Sequence, residues 1–275
     1  MGFIMNASSL RLYEQVYLLS VQNHNGKPHD YSTLMRQQYA MAGAALMELM
    51  TNGHIRFDES QRCIPARETT PPDDLVLSAA LERIRKAKKP HDAKYWVQMI
   101  HAYFLPYGKA LRNLVEKGVI RLDRETKWKI FPIKRYSVER PEIKDDIVQR
   151  LEEAIRTTPH NAKTPNATND DERTRDIILL GLVRSAGLIP YVFPARAATD
   201  KEALESDVET ALRRKPTFNA ADEALEEAEK RKERALEAIE ISLEVIDNLT
   251  FALDAIADAV DASADAGGGD GGGDD

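Results

Sequence analysis

The sequence contains a single cysteine, Cys63. No intrachain disulfide can form, so a packed core has to hold the fold, and a cysteine-rich zinc site is excluded. No apolar run approaches the ~18 residues that span a bilayer. The opening residues 1–9 lack a basic region followed by an apolar one, so no secretory signal is expected. Asn166-Ala167-Thr168 therefore reads as loop rather than as a glycosylation site. Gly2 is followed by Asn6 where a myristoylation motif wants Ser or Thr. The patterns of common catalysts are missing too. The six histidines are scattered and none pairs at HExxH spacing, and there is no GxSxG elbow, Walker loop or GxGxxG turn. No catalytic residue, metal ligand or cofactor is assigned.

What is present is a globular composition of 275 residues, 43% hydrophobic and 30% charged. The net charge of −7 is a difference between two unlike parts. From Ala221 to Asp275 there are 17 acids and 4 bases, a net of −13, whereas residues 1–220 carry 34 bases and 28 acids, a net of +6. A basic body favours anionic partners such as lipid headgroups or nucleic acid. The acidic arm opposes such partners or occupies the same face.

Apolar residues at helical spacing dominate the body. Leu12, Val16 and Leu19 mark a first helix, and Asn25-Gly26 a turn. A second helix is expected over 31–51. Its middle, residues 40–47, is apolar all round and so buried on every side. Ile55 and Phe57 alternate as a short strand leading through a polar turn to Cys63-Ile64. Further helices are expected from Pro71 with Leu77, Leu81 and Ile84, around Trp96, from 106 to 117, over 141–157, around Ile177, and over 200–214. Residues 119–122 and 127–131 flank the polar stretch 123–126 and read as a β-hairpin turning there. Residues 157–170 read as a loop. The acidic pairs Asp73-Asp74, Asp145-Asp146 and Asp170-Asp171 suit helix N-termini. The expectation is a mainly α fold: a central helical bundle ringed by amphipathic helices, with one or two short β-hairpins. A helical domain is expected over 1–216, an acidic amphipathic helix over 217–262 with Leu236, Ile239, Leu243, Ile246 and Leu253 as its stripe, and a disordered Gly/Asp tail over 263–275.

Two patches are candidates for anionic surfaces. The run Arg83, Arg85, Lys86, Lys88 and Lys89 is either such a patch or a solvated helix end. Trp128, between Lys127 and Lys129 on the hairpin, either enters a membrane interface or covers the core. A helix followed by strand–turn–strand over 111–133 also has the shape of a winged helix, with Lys109, Arg112 and Lys117 toward phosphates. The buried second helix and the many other helices argue against that small module.

Taken together the segments resemble the Golgi phosphoprotein 3 family over about residues 10–195. Leu12-Tyr13-Glu14-Gln15-Val16-Tyr17-Leu18-Leu19 is similar to its first helix, and Ala44-Ala45-Leu46-Met47-Glu48-Leu49 with Gly53-His54-Ile55 to its buried helix and following turn. Asp74-Leu75-Val76-Leu77, Trp96-Val97, Asn113-Leu114-Val115-Glu116-Lys117-Gly118, Arg135-Tyr136-Ser137-Val138 and Arg173-Thr174 continue it in order. The resemblance implies a compact helical fold without catalysis, bound peripherally to the cytosolic side of membranes. It implies recognition of phosphatidylinositol phosphate, an adaptor role toward membrane-protein clients, and a protruding hairpin, residues 119–131, that serves self-association and membrane contact. Self-association through the C-terminal helix is the other route. Golgi placement applies if the source is eukaryotic. The positions of the family's lipid-pocket tryptophan and arginines hold Thr33, Ala42, Phe104 and Tyr107, so none is carried over. Arg36, Lys109 and Arg112 stand nearby as candidates for an altered lipid site. The alternatives are an oligomeric adaptor without lipid affinity and a winged-helix-like nucleic-acid binder.

Overall fold

The computed structural model describes residues 6–30, 32–58, 60–66, 69–104, 106–127, 131–156 and 167–213, with the side chains of 124–127, 131–134 and 167–171 excepted. The acidic arm, Trp128 and Lys129 lie outside these residues, as does the side chain of Lys127.

Two helices form the centre. All nine residues of α1 (Leu12–Ser20) are buried. In α2 (Leu34–Thr51) every residue from Ala40 to Leu49 is buried, as its unbroken apolar run predicts. Small residues at 40 and 42–45 let neighbouring helices approach closely on all sides. α1 packs along α2, and the pair is ringed by α3 (Leu75–Arg85), α4 (Ala93–Phe104), α5 (Pro106–Glu116), α6 (Pro141–Arg156) and α7 (Ala167–Ser185). These ring helices bury stripes rather than whole circumferences. α5, for example, buries Pro106, Ala110 and Leu114, four residues apart. After Gly187 the short α8 (Ile189–Val192) and α9 (Pro194–Thr199) lead to α10 (Lys201–Arg213), which packs on α6, α7 and α9.

The small sheet has three antiparallel strands in the order β1 (Ile55–Phe57), β2 (Arg62–Pro65), β3 (His91–Asp92). The third strand has no alternating pattern to announce it, because it is two residues long. Cys63 is buried there, and burial pushes its thiol up to about 12, so it is not a nucleophile at neutral pH.

The ribbon of β4 (Ile120–Lys127) and β5 (Phe131–Val138) differs from expectation. Asp123 pairs with Arg135 and Thr126 with Pro132, so residues 123–126 are strand, not turn. Turn-like composition misleads here because polar residues such as Asp123 suit a paired strand as well as a turn. Opposite charges also face each other across the strands at Asp123 and Arg135. Among the described residues, the base of the ribbon is anchored. Val138 N–H donates to the Asn23 carbonyl (2.8 Å), and Lys144 Nζ of α6 donates to Val21 O (2.7 Å) and Asn23 Oδ1 (3.2 Å). Gly26, at φ +60°, lies against Tyr136 so closely that a Cβ would stand 2.6 Å from the tyrosine Cβ.

The expected loop over 157–170 is also shortened from its far side, since α7 begins at Ala167. Thr168 to Asp171 have loop composition, yet acids in a first helical turn favourably meet the dipole. Asp74 plays the related capping role on α3, accepting from Val76 and Leu77 N–H at 2.9 Å.

Candidate functional site

The candidate lipid residues come from two helices. Arg36 is in the first turn of α2, and Lys109 and Arg112 lie three residues apart on α5. Two contacts fix neighbouring helix ends. His101 of α4 stacks on Tyr39 (4.3 Å between centroids) with its Nε2 3.1 Å from Gln38 Oε1, so α4 finishes beside the start of α2. On the other flank the Arg83 guanidinium lies 4.3 Å over the Tyr103 ring, which brings the end of α3 to the α4–α5 junction. Asn113 Nδ2 reaches Asp74 (3.4 Å) at the opposite end of α3. Lys109 lies one turn before Asn113 on α5. Leu75, Tyr103 and Met35, at 72%, 61% and 47% exposed, are the exposed large apolar side chains of the described residues. Lys109 and Arg112 have no carboxylate partner among the described residues.

Tyr103 was not legible as a site residue. It lies seven residues after Trp96 and three after Ile100, on the stripe that α4 buries. The helix runs past the edge of the core before reaching it, so the ring emerges into solvent. Met35 likewise precedes the buried stretch of α2 by more than a turn.

The four positions of the family's lipid pocket are used for packing instead. Ala42 is wholly buried in α2. The Tyr107 ring sits 4.8 Å from Tyr17, and Phe104 packs half-buried on the core. Burial holds the Tyr17 phenol well above its ordinary pKa, and so neutral. Thr33 Oγ1 accepts from Gln37 Nε2 at 2.8 Å and donates to the Asp30 carbonyl at 3.1 Å.

A second constellation sits where the starts of α1 and α3 meet α5 and α7. Glu14 and Glu48 are both buried. Glu14 Oε2 accepts from Lys117 Nζ (2.6 Å) and Arg11 N–H (2.8 Å). Glu48 accepts from Leu12 N–H at 2.6 Å and faces Arg11 and Arg175 at 3.4 and 3.6 Å. Burial raises the Glu48 pKa in spite of the two guanidinium groups. Arg11 also pairs with Asp73, and the Tyr13 hydroxyl donates to Asp74 (2.6 Å) while accepting from Asn113 (2.9 Å). The network joins five helices through ion pairs and hydrogen bonds, most of them between different elements. Lys117, read from sequence as a phosphate contact, is thereby committed to Glu14. α5 is likewise seated on α1 and α2 rather than free to enter a groove.

Among the described residues no three His, Cys, Asp or Glu side chains converge as a metal site, and no helix is long and apolar enough to cross a membrane. Trp128, Lys127 and Lys129 cannot be placed against Arg36, Lys109 and Arg112, since they lie outside the described side chains.

These features define a class: a mainly α protein with two buried central helices and a ring of amphipathic helices. The family model for Golgi phosphoprotein 3 (GPP34) matches residues 12–262, and the chain belongs to that family. The match runs beyond the resemblance over residues 10–195 and takes in the acidic segment as far as 262.

Proposed function

We propose that this protein is a non-enzymatic, peripheral membrane protein that docks on an anionic lipid surface and holds membrane-protein clients there. Docking uses the exposed Tyr103 ring with Arg83, and Arg36, Lys109 and Arg112 as further bases. The observation that carries this reading is the Arg83 guanidinium lying over the exposed Tyr103 ring at the end of α4. Aromatic and long basic side chains together favour the membrane interface. Each base near an anionic surface contributes about 1 kcal/mol, so a cluster suffices without a stereospecific pocket. Packing residues at the four pocket positions support recognition by charge rather than by one headgroup. Trp128, with Lys127 and Lys129, supplies a second interfacial contact on the sequence pattern alone. The cytoplasmic side of a membrane, Golgi in a eukaryotic cell, is the proposed location.

Flotation of the full chain with phosphatidylcholine vesicles, with and without phosphatidylserine, tests this. Charge-dependent binding is expected, weakened together by Lys109→Glu and Arg112→Glu, and equal for phosphatidylserine and phosphoinositide vesicles of matched charge. Equal partitioning to neutral and anionic vesicles refutes it.

A second reading has its own observation. The β4–β5 ribbon extends about 26 Å at ~3.3 Å per residue, and two strands alone present unpaired edges. An adaptor that oligomerises through this ribbon, without lipid affinity, would scatter light as a multimer and ignore vesicles of either charge.

A further inference from the structure

The turn that follows α1 is folded on itself and tied to two later parts of the chain. Within residues 21–28, Gln22 N–H donates to the Lys27 carbonyl (2.8 Å), Gly26 N–H to the Gln22 carbonyl (2.9 Å) and Lys27 N–H to Asn25 Oδ1 (2.8 Å), and Val21 pairs with Pro28 as an antiparallel bridge. Asn23 has both of its oxygens engaged outward. Its carbonyl accepts from Val138 N–H of β5, and its Oδ1 accepts from Lys144 Nζ of α6. One exposed residue thus joins the ribbon to a helix of the bundle.

Lys144 is an expensive residue to place there. Its side chain is buried, and its ammonium meets two neutral oxygens, Val21 O and Asn23 Oδ1. No carboxylate pairs with it among the described residues. Burial lowers its pKa to about 8, with Asp145 opposing the shift. A Met would fill much the same space without burying a charge, so what the ammonium adds is its grip on the turn.

The ribbon in turn leans on residues 21–28. Tyr136 lies against Gly26, and Val138 has the Asn23 carbonyl as its acceptor. The sheet to which β4 and β5 belong has no third strand. A two-stranded ribbon without a seat is marginally stable in water.

We propose that residues 21–28 form a latch for the β4–β5 ribbon, closed by Lys144 through Asn23, and that the ribbon leaves the bundle as a local unit when the latch opens. Both readings above put a contact on the ribbon, and the latch stands whichever of them holds. Lys144 is a positioning residue, since it acts on Val138 through Asn23. Release costs the ribbon its seat but leaves α1 and α2 packed, so the ribbon can change direction while the core stays closed.

Hydrogen exchange of the full chain, read by mass spectrometry, compares residues 119–123 and 135–139 with α1 and α2. Lys144→Met and Asn23→Ala each remove a hydrogen bond to a charged group, and each should speed exchange in the ribbon segments about ten-fold while α1 and α2 keep wild-type protection. Asn23→Asp keeps the acceptor and gives it a charge, and should slow exchange in the ribbon below the wild-type rate. Asn23 is exposed, so its two variants decide the matter if the buried Lys144→Met fails to fold. Equal acceleration in the ribbon and in α1 and α2 overturns the latch, because the contact would then support the whole bundle. Unchanged ribbon exchange in Asn23→Ala, or exchange in Asn23→Asp no slower than wild type, overturns it too.

Discussion

Replacing Lys117 with Met removes the cation that faces Glu14. The carboxylate is fully buried, and Lys117 Nζ stands 2.6 Å from Oε2. Its other donor to that oxygen is the Arg11 backbone N–H. Removing one partner of a buried pair typically costs about 3–5 kcal/mol, because the other charge is left without compensation. The Lys117 side chain is 27% exposed, so water offsets part of that, and about 2–4 kcal/mol is expected. Against a domain stability of about 5–15 kcal/mol this is a large fraction. With a urea m-value of about 3 kcal/mol/M, the unfolding midpoint falls by about 1 M. The assay is urea unfolding followed by far-UV circular dichroism, which a mainly helical protein reports strongly. The double variant Glu14→Gln with Lys117→Met removes the stranded charge and should be less destabilised than Lys117→Met alone. A midpoint shift below about 0.2 M, or a double variant destabilised by the full sum of the two singles, would refute the reasoning.

Gly26→Ala puts a Cβ against Tyr136 at a residue of φ +60°, and should cost about 2 kcal/mol or more while speeding amide exchange at the base of the β4–β5 ribbon. Unchanged exchange there would show that the Gly26 contact does not anchor it. Burial raises the Asp176 carboxyl to about 6, with Arg150 at 3.6 Å opposing the shift and Glu172 and Asp146 adding to it. The folded state then holds a proton between about pH 4 and 6 that the unfolded state has released, so this group lowers stability as pH rises through that window. Asp176→Asn should therefore gain stability relative to wild type between pH 4 and 7, by at most about 3 kcal/mol. A difference that stays flat across that range would contradict the burial argument.

The central pair of helices was readable because a fully apolar stretch such as residues 40–47 has only one stable environment, the interior. The helix stops were readable for a similar local reason. Pairing register was not. A polar stretch carries no apolar alternation to distinguish strand from turn, and residues 123–126 satisfied both. The start of α7 was hidden because the polar residues that suit a helix N-terminus also suit a loop. The charged network was present as separate letters, Glu14, Glu48, Lys117 and Arg175. Their separations of 34 to 161 residues carry no periodic signal, so only the fold could join them. Tyr103 is exposed because α4 outruns the core beneath it, and no pattern in the sequence marks that.

The order in which this chain is synthesised sets a problem of its own. α1 emerges first and is buried along its whole length, yet part of its cover comes from α7, and Arg175 Nη2 reaches back 165 residues to the Leu10 carbonyl. At about 5–20 residues per second, translation leaves α1 waiting roughly 8 to 33 s for that cover. Through that interval the helix has α2 and the later-arriving α5 and α6 to shelter it, but not α7. A nascent chain stopped before residue 167 therefore presents a sticky, incomplete bundle, and chaperone capture of such a stalled chain should fall once α7 has cleared the ribosome.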